Sequence, residues 1–155
     1  MSTQLSHREE SIYAYDLSFV RERLLDEGKG SYEDWNRIDA EFKKFMCLVL
    51  NGTRPLAMID LRVDAYWHTF VLFTEEYELF CRREMGFFVH HRPRTSRTPV
   101  PSSAIRNFVE AYKAKFGALA PLWSEELSPA LQELIDRGSA PRDLAFKWSG
   151  WPGAE

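Results

Sequence analysis

Residues 63 to 93, VDAYWHTFVLFTEEYELFCRREMGFFVHHRP, hold most of the side chains in this sequence that could carry out chemistry. Three of the four histidines and one of the two cysteines lie here, together with an aspartate and two tyrosines. Imidazole nitrogen, thiolate sulfur and carboxylate oxygen are the ligands that zinc takes, and the same groups serve in nucleophilic catalysis. The stretch is therefore a metal site, a catalytic cluster, or a polar group within a helical core.

Helical spacing favours a shared site. Asp64 and His68 are four residues apart, so they lie on one face of a helix. A cysteine follows on the next predicted helix, and two adjacent histidines come after that helix ends. Zinc usually takes four ligands in a tetrahedral arrangement. The predicted zinc ligands are Asp64, His68, Cys81 and one of the pair His90 and His91.

Two other interpretations of the same residues remain open. In a polar core, His68 hydrogen-bonds Asp64 or Tyr77, and the sulfur of Cys81 packs against aromatic rings. In an enzyme, Cys81 is the nucleophile and a histidine such as His68 is the base, which requires a lowered thiol pKa. The close ligand pairs of most zinc motifs, CxxC and HxxxH, do not occur in the sequence.

The elements that position these residues are predicted to be helices. Apolar residues recur at three- and four-residue steps, which predicts an all-α fold of about six helices. TRPLAMIDLR reads as a connector, and FFVHHRP reads as extended or irregular because proline disfavours helix before it. The predicted helices start near Asp16, Ser31, Asp60, Thr74, Ser102 and Ser128, and end near Gly28, Asn51, Phe73, Gly86, Gly117 and Gly138.

Length and composition favour a single helical domain over residues 1–155. At 155 residues, with 45% hydrophobic residues, the chain is long enough for one packed core. The formal net charge of −3 argues against a globally basic nucleic-acid binder. Two cysteines cannot form a disulfide framework, and the sequence has no apolar signal segment or membrane span. We expect a cytoplasmic protein without a membrane partner.

A proline-rich loop and an irregular C-terminal tail are the predicted contact surfaces. The loop, HRPRTSRTPVPSS, contains no acidic residue, so the basic stretch 90–97 is suited to phosphate groups of a nucleic acid. The tail carries Trp148 and Trp151, which are expected to dock on the body of the domain or, alternatively, to anchor a protein partner. The predicted contact residues are Arg92, Arg94, Arg97, Trp148 and Trp151.

The motif VDxxWH, followed by TxxYxxFC, a glycine and HxxP, resembles the glycine-rich domain-containing protein-like family, a domain of plants, fungi, bacteria and phages. The helical segments YDLSFVRERL, EFKKFMCLVL and FVEAYKAKFG resemble the family as well, so the likeness covers roughly residues 11–123. Residues 124–155 are then a C-terminal extension. The resemblance implies a helical fold and little about function, because the family is essentially uncharacterised.

The resemblance also implies a set of motif positions. His90 is preferred to His91 because it precedes the proline by three residues, as in the family's pattern. Many members have a second histidine where this chain has Phe70, and this chain has no glycine-rich tail. The positions carried over are Asp64, Trp67, His68, Tyr77, Cys81, Gly86 and His90.

Two functions are therefore expected from the sequence. The favoured one is a helical interaction module of unassigned partner, whose polar cluster either forms a hydrogen-bonded part of the core or binds a metal ion such as zinc. The alternative is a metal- or thiol-dependent enzyme that uses His68, Cys81 and His90. No nucleophile elbow, phosphate-binding glycine loop or HExxH motif occurs, so the sequence leans away from an enzyme.

Overall fold

The described part of the chain is a helical body with one small sheet. The computed structural model describes residues 3–93, 95–98, 101–125 and 143–148. The α-helices are α1 (Thr3–Ala14), α2 (Ser18–Asp26), α3 (Tyr32–Asn51), α4 (Leu61–Leu72), α5 (Thr74–Phe80), α6 (Ser102–Phe116) and α7 (Pro121–Glu125). A π-helical turn, Cys81–Met85, continues α5. The strands are β1 (Leu56–Met58), β2 (Phe88–Pro93) and β3 (Asp143–Trp148).

This architecture confirms the mostly helical fold class. Helices α2 to α6 lie where the periodicity predicts them, whereas α1 was not expected. The predicted connector contains β1, the extended stretch before the loop is β2, and the tail expected to be irregular contributes β3. The helix predicted between Ser128 and Gly138 lies outside the described residues. Among the described helices, none has the length and apolar character needed to cross a membrane.

Local side-chain chemistry explains where the helices start and stop. Ser31 and Asp34 form a capping box at the start of α3, in which each side chain accepts a hydrogen bond from the other residue's amide, at 3.1 and 3.2 Å. The carboxylate of Asp60 accepts from two amides in the first turn of α4. Gly86 ends the π-helical turn with φ of 81°, a left-handed conformation that favours glycine.

The core is built around α3, whose apolar face is buried along most of its length. Phe45 contacts the Trp67 ring of α4 and the Phe108 ring of α6, with centroid distances of 5.6 and 5.7 Å. Cys47 is completely buried and packs as a small core residue. Helix α3 therefore fixes α4, the helix that carries Asp64 and His68, against the rest of the body.

A buried carboxylate ties three helices together. Glu41 of α3 is 6% exposed, and its Oε2 accepts hydrogen bonds from Tyr112 of α6 at 2.9 Å and from Trp123 of α7 at 2.8 Å. The ammonium group of Lys44 lies 3.0 Å from the other carboxylate oxygen. Every oxygen of this buried group thus has a partner, as a buried charge requires.

The sheet is antiparallel, with the order β1-β3-β2. The C-terminal strand therefore lies in the centre, between two strands that precede it in the chain by many residues. Ala145 is opposite Leu56 on one side and His91 on the other. The position of β2 thus depends on a strand from the far end of the sequence.

Replacing Glu41 with alanine should lower the free energy of unfolding by about 3 kcal/mol, because two buried donors and a lysine lose their acceptor. Urea denaturation followed by tryptophan fluorescence measures the change. Glu110→Ala is the matched control, since that carboxylate is exposed and lies 4.0 Å from Arg54; it should change stability by less than about 0.5 kcal/mol. Equal effects of the two substitutions would contradict the role of Glu41.

Candidate metal centre

Helix α4 supplies two of the residues that meet at the candidate site. Asp64 and His68 are one turn apart, and the Nε2 atom of His68 lies 3.3 Å from the Oδ2 atom of Asp64. The Asp64 side chain is 6% exposed, whereas that of His68 is 48% exposed. The pair therefore combines a buried carboxylate with an imidazole that solvent can reach, as the spacing in the sequence predicts.

Strand β2 supplies the third residue, His91. Alternate residues of a strand face opposite sides, so His91 shares its side with Val89, which is completely buried. The Nε2 atom of His91 lies 3.4 Å from the Oδ1 atom of Asp64. Its ring is edge-on to the rings of Trp67 and His68, with centroid distances of 4.2 and 4.3 Å. One carboxylate thus has an imidazole at each oxygen.

The three side chains have the composition and spacing of a metal site. One potential ligand atom from each of Asp64, His68 and His91 lies within 4.8 Å of the other two. Two imidazoles and a carboxylate suit zinc, and the same set binds non-haem Fe(II). Three protein ligands leave at least one coordination position for water or another ligand.

His90, the histidine preferred from the family motif, is not part of this group. It lies on the opposite side of β2, beside the ring of Phe88 at a centroid distance of 5.2 Å. Burial and the neighbouring Arg92 guanidinium lower its pKa. The geometry therefore places His91, and not His90, beside Asp64 and His68. The apolar Val89 is the sequence signal for this placement, because a residue two positions further along a strand shares its side.

Cys81 is likewise separate from the Asp64, His68 and His91 group. Its thiol is completely buried, with hydrogen bonds to the Val89 backbone and the Tyr77 side chain, and burial raises the pKa of the thiol to about 11. A nucleophilic cysteine needs the opposite shift. The structure thus moves Cys81 out of the predicted ligand set, and its environment does not activate it for catalysis.

The remaining motif residues organise the core beside the site. Tyr77 donates a hydrogen bond to the Val89 carbonyl oxygen and accepts one from the indole nitrogen of Trp67 at 3.2 Å. Both aromatic side chains are buried. Together with the turn at Gly86, this chain of contacts connects α4, α5 and β2, and so sets the distance between His68 and His91.

The predicted contact residues are only partly described. Arg92 is exposed on β2, and Arg97 is exposed in a turn where the hydroxyl groups of Thr95 and Thr98 lie 2.7 Å apart. Trp148 is the last residue of β3, and only its backbone position is described. Arg94 and Trp151 lie outside the described residues. Partner binding through these positions stays a prediction.

Comparison with known proteins identifies a family. A family model described as UCP032817-like matches residues 7–113, which is more than half of the chain. No curated protein and no solved structure shows significant similarity to the chain. The match supports the expected membership of an uncharacterised family. It begins at residue 7 and ends at residue 113, whereas the expected span is 11–123. It does not support the glycine-rich name.

Cys81 should resist alkylation in the folded protein at pH 8. Burial raises its pKa to about 11, from a usual 9.0, so the thiolate fraction at this pH falls by roughly 100-fold. Iodoacetamide labelling followed by peptide mass spectrometry measures the rate, with urea-unfolded protein as the reference. Labelling of native Cys81 as fast as in the unfolded chain would contradict the buried, inactive thiol.

Trp67→Ala should lower the free energy of unfolding by about 3–5 kcal/mol, because its fully buried ring contacts α3 and the His91 ring. Thermal or urea unfolding followed by circular dichroism measures this loss. Tyr32→Ala provides a control, since the Tyr32 side chain is 62% exposed. A change for Trp67→Ala no larger than for the control would show that the tryptophan does not hold the site together.

Proposed function

The chain belongs to the UCP032817-like family, and we propose that it is a helical module that binds one divalent transition-metal ion, zinc in the first instance. The proposed ligands are Asp64, His68 and His91. In this role the helical body would hold the ion, and the partly exposed side chain of His68 would leave it accessible to solvent. We also propose that the module binds a protein partner, whose identity is not assigned.

The distances around the Asp64 carboxylate carry the proposal. Its two oxygens lie 3.3 and 3.4 Å from imidazole nitrogens, which is long for an N–H···O hydrogen bond, whose usual range is about 2.7–3.2 Å. Ligands of a tetrahedral zinc ion with bonds of about 2.0–2.1 Å lie roughly 3.3–3.4 Å from one another. Each histidine thus lies at the separation of two zinc ligands from one oxygen of Asp64, His68 from Oδ2 and His91 from Oδ1, and one ligand atom of each residue lies within 4.8 Å of the other two. This arrangement supports binding of one ion by the three side chains.

Charge and accessibility support the same proposal. A buried carboxylate is unfavourable without a compensating charge, and a divalent cation supplies that charge. The half-exposed imidazole of His68 provides an entry path for the ion. Asp64 and His68 lie on a helix and His91 on a strand, so regular elements hold all three ligands in place.

The thiol-dependent enzyme receives no support from the geometry, because Cys81 is buried with a raised pKa. A metal-dependent enzyme would use the same three ligands, with a bound water in the open position. Our proposal is limited to binding, since a substrate is not assigned. The likeness to the glycine-rich domain-containing protein-like family stays a prediction, and nothing here depends on it.

Untagged protein, stripped with a chelator and reloaded with zinc, should retain about one equivalent of zinc per chain, because three protein ligands hold one ion. Elemental mass spectrometry after gel filtration measures the content of zinc and of other transition metals. His68→Ala and His91→Ala should each lose the ion or weaken its binding by at least about 10-fold.

Two matched controls sharpen this experiment. His90→Ala removes the adjacent histidine on the opposite side of β2, and Cys81→Ser removes the nearby thiol. Both variants should retain zinc, provided that circular dichroism shows them folded. Zinc binding that depends on Cys81 or His90, but not on His91, would overturn the proposed ligand set. Failure of the wild-type protein to retain any transition metal would overturn the proposed function.

A further inference from the structure

We infer that the C-terminal strand β3 regulates the metal site, such that insertion of β3 between β1 and β2 and binding of the ion favour each other. This inference rests on the proposed function. It comes from the position of His91, the one proposed ligand that lies in the sheet and not on a helix.

The two halves of β2 are held in different ways. The first half is attached to the helical body, because the Val89 carbonyl accepts a hydrogen bond from Tyr77 and its backbone contacts the Cys81 thiol. The second half begins with His91, and here the described backbone pairing is with β3, residue by residue from Ala145 to Asp143. Strand β3 also pairs with the first half, from Trp148 opposite Phe88 to Phe146 opposite His90, so it supports the whole of β2. The half that carries the metal ligand is the half that lies beyond the attachment at Val89.

A single residue of β3 connects both sides of the sheet. Ala145 is opposite His91 in β2 and opposite Leu56 in β1, and it is 1% exposed. In the described residues, β1 and β2 pair with β3 and not with each other. Withdrawal of β3 would remove ladder hydrogen bonds from both strands at once, and buried backbone groups do not tolerate this loss without rearrangement.

The family match includes the proposed ligands but not β3. All three proposed ligands, together with β1 and β2, lie within residues 7–113, whereas β3 lies beyond them at 143–148. The space between β1 and β2 thus belongs to the matched region, and the strand that fills it comes from outside that region. This division fits a regulatory strand that acts on a site it does not itself contain.

The coupling must be reciprocal, because insertion of β3 and binding of the ion are linked equilibria. If inserted β3 raises the affinity for the ion, the bound ion favours insertion of β3 by the same factor. Inserted β3 holds His91 at its distance from Asp64 and raises the affinity for the ion. The bound ion in turn fixes His91 and favours inserted β3. Strand β1 contributes no proposed ligand, and β3 is one route by which the ion can affect it, beside the direct chain connection to α4.

Ala145→Pro in the full chain tests the first direction. Proline removes the amide N–H and is poorly tolerated in a central strand, so it should displace β3. The dissociation constant for zinc, measured by competition with a chromophoric chelator, should rise by about 10-fold, within the usual range of coupling between sites. Ala145→Gly keeps the amide and serves as the matched control, with an expected change of less than about threefold.

Hydrogen exchange in the wild-type protein tests the other direction without any variant of β3. Zinc should slow exchange in the peptide covering Leu56–Met58 by more than it slows exchange in α1, which lies in another part of the chain. His68→Ala, which lacks a proposed ligand, should show no such zinc effect. If Ala145→Pro does not fold, a zinc effect in Leu56–Met58 that is no greater than the effect in α1 still overturns the coupling.

The outcomes separate the inference from the function on which it rests. If wild-type protein binds zinc and a folded Ala145→Pro variant binds it equally well, the coupling is wrong and the metal site stands. Slowing in β1 no greater than in α1 also overturns the coupling. Absence of zinc binding by the wild-type protein overturns the proposed function, and the coupling with it.

Discussion

The carboxylate of Asp64 lies inside the protein, where water cannot compensate for its charge. Imidazole rings face both of its oxygens, one from the same helix and one from β2. The requirement to satisfy this group fixes the strand against the helix. It also creates, at the boundary between them, the set of atoms that can bind an ion.

The same requirement operates elsewhere in the helical body. Asp39 of α3 lies 3.1 Å from Arg21 of α2 and 3.0 Å from Lys43, and it accepts a hydrogen bond from Tyr66 of α4. Glu41, two residues further along α3, joins α6 and α7 in a similar way. Helix α3 therefore positions its neighbours with two satisfied carboxylates as well as with its apolar face. The site on α4 rests on this framework.

The aromatic residues between the helices and the sheet also hold β2 in position. Trp67 and Tyr77 are large, buried and hydrogen-bonded to each other, so neither ring can rotate freely within the core. Tyr77 extends the connection to β2 through the Val89 carbonyl. The contacts that appeared in the sequence as a candidate catalytic cluster are mainly supports, and Cys81 packs among them. The three side chains that could hold an ion lie beside them, where His68 is partly exposed.

The sequence by itself determined the helices, because their apolar periodicity and capping residues are local properties. For the same reason it placed Asp64 and His68 together, four residues apart on one helix. It could not determine which histidine joins them. That choice depends on the side of β2 that faces α4, and the side is set by pairing with β3, a strand far along the chain. The apolar Val89 indicates which side of β2 is buried, and His91 shares that side. Only the tertiary structure, through this long-range pairing, decided that His91 faces Asp64 and that Cys81 does not.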